Sequence, residues 1–280
     1  MYSSFFGLNE KPFSVTPNTR FFFPSEKHEE ALSSLIYTIQ GRQGFAAISG
    51  EIGSGKTTVW HALLNKLDKG TKIALITNTQ LTPKQMIIAI IDDLSIPYHE
   101  RWTKVRLLAA LNRYLIEQIS LGCNVVLVID EAQNLSFQAL EEIRMLSNLE
   151  TESEKLLQIM LMGQPTLRDL LIDPRLEQLR QRINVYYHLM PLNHDETKGY
   201  IAHRLKVAGA NGHTIFDTQS LDKIFEHSGG IPRRINRICD KAMLTGFIRS
   251  KNTIDESIVD EVIKEIDLLS PIIKGEISHG

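Results

Sequence analysis

A parallel α/β sheet sandwiched by helices, followed by a smaller all-helical domain, is the fold that this 280-residue sequence predicts. Three observations predict it. Apolar, β-rich runs alternate with amphipathic helical patterns through the first two thirds, the pattern of a parallel sheet covered by crossover helices. From about Leu192 the strand signals stop and helical periodicity alone continues. At the first strand-to-helix junction, AISGEIGSGKTT clusters glycines where neither a strand nor a helix favours them.

The elements follow in order. FAAIS (Phe45 to Ser49) reads as a buried strand, and KTTVWHALLNKL, starting near Lys56, as a helix. KIALITN (Lys72 to Asn78) is the second strand, with a helix from about Pro83 to Leu94 behind it. A longer helix from about Thr103 to Leu121 places Val105, Leu108, Leu111 and Leu115 at helical spacing. NVVLVID (Asn124 to Asp130) has no polar alternation, as a central strand covered on both faces requires. SFQALEEIRMLSNL is a helix with Ser136 as its N-cap, and LLQIMLM and NVYYHL (Asn184 to Leu189) complete five strands. Helices then span roughly His194 to Val207, Thr218 to His227, Pro232 to Arg249 and Asp255 to Ile266. The expected division is an α/β domain over 1–191, a helical lid over 192–268 and a tail over 269–280.

Bulk composition excludes several classes. Apolar content of 42% and charged content of 23% are ordinary for a globular domain. A net charge of −2 gives no footprint for nucleic acid or an anionic membrane. Cys123 and Cys239 are far apart, so two thiols in a reducing compartment are expected. The opening MYSSFFGLNEKPF has no secretory leader pattern, and no apolar run is long enough to span a bilayer. A cytoplasmic protein is expected. The nine histidines are scattered, and neither H-E-x-x-H nor G-x-S-x-G occurs.

The glycine cluster has a chemical reason. Gly50, Gly53 and Gly55, closed by Lys56 and Thr57, fit G-x-x-x-x-G-K-[ST]. Glycines let successive N–H groups point inward at an anion, and a helix beginning at Lys56 adds its positive dipole end. The cradle comprises Gly50, Glu51, Ile52, Gly53, Ser54, Gly55, Lys56, Thr57 and Thr58. Lys56 would reach the β- and γ-phosphates of ATP, and the Thr57 hydroxyl would hold Mg²⁺. In VVLVIDEAQ, Asp130 ends a buried strand where ligands bind in open α/β sheets, and is the second Mg²⁺ residue. Its neighbour Glu131 would polarise the attacking water.

These motifs resemble those of AAA+ ATPases. FFGLNEKPFSVTPNTRFFF, GEIGSGKTT, MLSNLETE, MGQPTLRDLL, QRINVYYHLMPL and HSGGIPRRINRICDKAML together resemble the general secretion pathway protein A family. That group includes ATPases associated with exopolysaccharide and PEP-CTERM/exosortase loci. The resemblance covers about residues 1 to 266, and the ATPases of Tn7-like and Mu-like transposition are more distant relatives. It implies an ATPase that forms a homo-oligomer (ring or filament, a hexamer included) and works with secretion or export machinery. A peripheral place at the inner membrane, through a partner, is compatible with it. DNA is a second, less favoured partner, and a nucleotide-gated switch with little turnover is a third reading. Members that sense peptidoglycan continue into a membrane span and a periplasmic module absent from this sequence. The chain therefore either belongs to a shorter group or is part of a longer protein.

The resemblance also implies individual roles. Gln164 matches a polar sensor of the γ-phosphate, where many relatives carry Asn, and Asn78 matches a residue that pairs with the catalytic glutamate in its inactive state. Arg233 matches the lid arginine, with Arg234 as its competitor. Pro12 and Phe13 match a segment that walls the adenine pocket, a core role for the aromatic being the alternative. Arg175, Arg180 and Arg182 lie on a short helix and turn before the last strand, where such ATPases place an arginine that enters a neighbour's site. Arg182 is the first choice and Arg180 the second, against a surface arginine pairing with Glu177 or solvent.

Overall fold

The computed structural model describes residues 1–14, 16, 18–152, 154–212 and 214–275, with side chains as far as 268. Along the chain the elements are α1 (Tyr2–Phe5), α2 (Glu26–Gln40), β1 (Phe45–Gly50), α3 (Lys56–Leu64), β2 (Lys72–Ile76), α4 (Pro83–Asp93), α5 (Lys104–Ser120), β3 (Val125–Ile129) and α6 (Phe137–Leu146). They continue as β4 (Gln158–Gly163), α7 (Thr166–Leu171), α8 (Glu177–Arg180), β5 (Val185–Leu189), α9 (His194–Val207), α10 (Thr218–Ser228), α11 (Pro232–Ile248) and α12 (Glu256–Gly275). The chain divides into a sheet unit, residues 26–51 and 59–189, and a helical unit, residues 1–25, 52–58 and 190 onward.

In the sheet unit five parallel strands run in the order β2-β3-β4-β1-β5. The three central strands are buried along their whole length, which is why their sequences lack polar alternation. On one face α4 and α5 contribute Ile87, Ile90, Ile91, Leu107, Leu111 and Leu115 to the core, all buried. Each such side chain is worth about 1.5–3 kcal/mol relative to exposure. α2 covers β1 and β5 through Leu32, Leu35 and Ile39. The sequence reading omits α2, although its buried residues recur at helical spacing. At the β2 edge the Leu75 N–H donates to Asp93 Oδ2 at 2.6 Å, so a free edge donor is taken up by a charged side chain.

The helical unit has its own core, in which Phe216, Ile224, Ile235, Ile258 and Val259 meet. Residues 1–25, expected within the α/β domain, pack here instead. The reason is their aromatic content: Tyr2, Phe6, Leu8, Phe13 and Phe21 are all buried among the C-terminal helices. Arg204 fastens the segment, donating from Nε to the Pro12 carbonyl at 2.6 Å and lying 4.7 Å over the Phe21 ring. α10 ends at Gly229 in the left-handed region, whose N–H returns to the Phe225 carbonyl. α12 runs to Gly275, across the part expected as a tail from 269; residues 276–280 lie outside the described residues.

α9 begins as expected, through a capping box. The Asn193 side chain accepts from the Glu196 N–H at 2.9 Å, and the Glu196 carboxylate accepts from the Asn193 N–H at 2.9 Å. Asn193→Ala is expected to destabilise the protein by about 1 kcal/mol, read by chemical denaturation, since it leaves the Glu196 N–H without that acceptor.

Candidate nucleotide site

The glycine loop has the backbone its motif demands. Gly53 and Gly55 adopt φ of 84° and 107°, the left-handed region that favours glycine, just before α3 starts at Lys56. Lys56 is 8% exposed, whereas Glu51, Ile52 and Thr57 are exposed. Within the helical unit, the first turn of α11 rests on this loop: the Arg233 N–H donates to the Gly53 carbonyl at 3.2 Å. A Cβ on Gly53 would drive into the Arg233 side chain, so close approach as well as conformation requires glycine here. Arg233 and Arg234 both expose their side chains, and the tie to the loop runs through Arg233.

In the sheet unit the acidic pair sits at the end of β3. The Asp130 N–H continues the ladder to the Ile76 carbonyl at 2.9 Å, and Asp130 Oδ1 accepts from the Glu131 N–H at 2.9 Å. Glu131 leaves the strand at φ 52°, ψ 37°. For a residue with a side chain that conformation is strained by about 1–2 kcal/mol. Its carboxylate Oε2 accepts from Gln133 Nε2 at 2.5 Å and from Gln164 Nε2 at 3.0 Å. The Gln133 amide is engaged at its other end too, Oε1 accepting from the Gln164 N–H at 3.0 Å. Gln164, expected to face the γ-phosphate, has its side-chain amide on Glu131 in this structure. Gln133 is a member of this cluster that sequence reading missed; its only sequence signal is its place two residues after Glu131. Asn78 follows β2, and its Oδ1 accepts from the Gln80 N–H at 3.1 Å.

The remaining expected residues fall as follows. Phe13 is 1% exposed, edge-to-face with Phe216 at 6.1 Å, so its place here is the core of the helical unit. Arg175 forks onto Asp173 at 3.0 and 2.8 Å, over the Phe137 ring, and holds the Asp173 carboxyl down to about 2. Arg180 donates to the Ile172 and Leu171 carbonyls at 3.1 and 3.4 Å, closing the C-terminus of α7. Arg182 is half-buried, and its charge adds to the Lys155 hydrogen bond in lowering the Glu150 carboxyl. Among the described residues the Arg182 side chain makes no hydrogen bond or ion pair, with Glu177 or any other.

Thr57 and Asp130 offer oxygen only, and no group of three His, Cys, Asp or Glu among the described residues forms an all-protein metal cage.

A glycine loop before a helix, an Asp-Glu pair at the end of β3 in a parallel 2-3-4-1-5 sheet, and a helical unit whose Arg233 N–H meets that loop are the features of an AAA+ P-loop fold. Residues 39–171 match the family described as AAA domain. The chain is 43% identical over 254 residues to General secretion pathway protein A of Aeromonas hydrophila, covering 91% of this chain and 46% of that protein. It is 26% identical to an uncharacterized HTH-type transcriptional regulator of Methanocaldococcus jannaschii, over 93% of this chain and 73% of that one. Among solved structures, Cdc6p from Pyrobaculum aerophilum aligns with a TM-score of 0.69 at 21% identity, over 91% of this chain and 70% of that one. The Thermotoga maritima RuvB branch migration motor aligns at 0.59 and 17% identity, over 90% and 72%. At such identities they share the fold. The chain carries an AAA domain over residues 39–171, and it is similar to general secretion pathway protein A over 91% of its length. It spans about half the length of that relative.

Proposed function

We propose that this ATPase binds ATP with Mg²⁺, assembles into a homo-oligomer and couples turnover to the assembly or operation of a secretion or polysaccharide-export system. The observation that carries the reading is the 43% identity to a secretion-pathway protein along 91% of the chain. The loop residues Gly50 to Thr58 cradle the phosphates, with Lys56 supplying charge to the β- and γ-phosphates. Thr57 and Asp130 hold Mg²⁺, which when bound neutralises charge on the phosphates. Glu131 polarises the attacking water, while Gln164 and Arg233 report on the γ-phosphate. No helix among the described residues is long and apolar enough to cross a membrane; a peripheral place at the inner membrane, through a partner, is part of the same proposal.

Two experiments test this. Lys56→Ala is expected to weaken ATP binding about tenfold or more by calorimetry, because the charge facing the phosphates is gone. Unchanged affinity would refute the site. In the native host, loss of the protein should abolish export of one class of protein or glycan, restored by the unaltered chain and not by Lys56→Ala. Normal export without the protein would refute the process.

A second reading is a DNA-binding regulatory ATPase, favoured by the relative named as an HTH-type transcriptional regulator. It calls for an ATP-dependent gel shift on duplex DNA whose affinity falls steeply with salt.

A further inference from the structure

We propose that Gln133 is a positioning residue for the catalytic glutamate: its side-chain amide fixes the Glu131 carboxylate against the end of β4 in the orientation that hydrolysis uses. This rests on the reading of Glu131 as the water-polarising carboxylate.

Glu131 needs such a device. It sits beyond the strand in left-handed backbone, on a side chain whose rotamers cost up to about 1.5–2 kcal/mol to fix. Two amide N–H donors converge on its Oε2, from Gln133 at 2.5 Å and Gln164 at 3.0 Å. The Gln133 amide has its orientation settled by chemistry. Its Oε1 faces the Gln164 N–H, which only an acceptor can do, so its NH₂ must face the carboxylate. One side chain thereby ties the end of β3 to the first residue after β4. Asparagine is too short to reach both partners, glutamate would set a second negative charge against Glu131, and an apolar side chain offers no donor.

The surroundings are shaped around this amide. Gly163, the last residue of β4, has no Cβ, and one built there would lie 2.6 Å from Gln133 Oε1 and 2.9 Å from Leu167 Cδ2. Gln133 therefore sets the direction of the Glu131 carboxylate.

The test uses the full chain with Gln133→Met, which keeps length and volume without donors, and Gln133→Leu as a second variant. Both are expected to lower kcat about ten- to a hundredfold, the scale of a misplaced catalytic group. KM and ATP affinity should stay within about twofold, since no phosphate contact is lost. In a Glu131→Gln background, Gln133→Met should leave the single-turnover rate unchanged, since the residue acts through the missing carboxylate. A variant that lowers the melting temperature with kcat unmoved would make Gln133 a stitch between β3 and β4 only, and overturn the proposal. So would an undiminished loss in the Glu131→Gln background. Wild-type turnover by Glu131→Gln alone would instead remove the base reading itself, which separates the two failures.

Discussion

Glu131→Gln is expected to bind ATP as tightly as the unaltered protein and to hydrolyse it at least about a hundred times more slowly. Glutamine keeps the length and the left-handed backbone that Glu131 already adopts, so the strain at φ 52° is unchanged. The amide oxygen can still accept from Gln133 or Gln164, which keeps the chain end in place. What disappears is the negative charge able to draw a proton from water. General-base catalysis of this kind contributes about 10²–10⁴-fold, which sets the size of the loss. Binding should survive because the phosphate cradle belongs to a different segment, the loop before α3. Calorimetry, phosphate release and melting temperature together check it. Turnover at the wild-type rate would mean that Glu131 is not the base.

The phosphate loop and the acidic pair are legible because their chemistry is local. A glycine cluster ahead of Lys56 and an acidic pair after five apolar residues need no knowledge of distant contacts. The N-caps at Thr103 and Ser136 are local in the same way, each side chain accepting from an N–H three residues on. Non-local facts are a different matter. Gln133 meets residue 164 because β3 and β4 are neighbours in the sheet, and no spacing between the two announces that. Phe13 belongs to the helical core because Phe216, some two hundred residues later, receives it. α2 is the exception, since Ala31, Leu32, Leu35 and Ile39 carry a readable helical face. The last helix passes the expected stop at Ile266 and continues through Pro271, where the residue type alone argues for an end.

The largest effect is expected at an arginine whose side chain makes no hydrogen bond or ion pair among the described residues. Of three arginines before β5, Arg175 is forked onto Asp173, and Arg180 spends its guanidinium on the last carbonyls of α7. Arg182, half-buried beside the acidic Glu150, makes no hydrogen bond or ion pair among the described residues. A guanidinium suits a neighbour's ATP site because it stays charged and forks onto phosphate oxygens as charge shifts in the transition state. Arginines supplied across an interface accelerate phosphoryl transfer by about 10³–10⁵-fold. We therefore expect Arg182→Ala to lower turnover by about 10³-fold while ATP binding persists. Arg180→Ala should instead destabilise the fold by about 1 kcal/mol through its lost carbonyl contacts. If Arg182 acts in trans, ATPase activity per subunit must rise with protein concentration. Mixing Arg182→Ala with Lys56→Ala subunits should then restore part of the activity, because the first keeps an intact ATP site and the second still supplies the arginine. Activity flat with concentration, together with a fully active Arg182→Ala variant, would show that each site works alone.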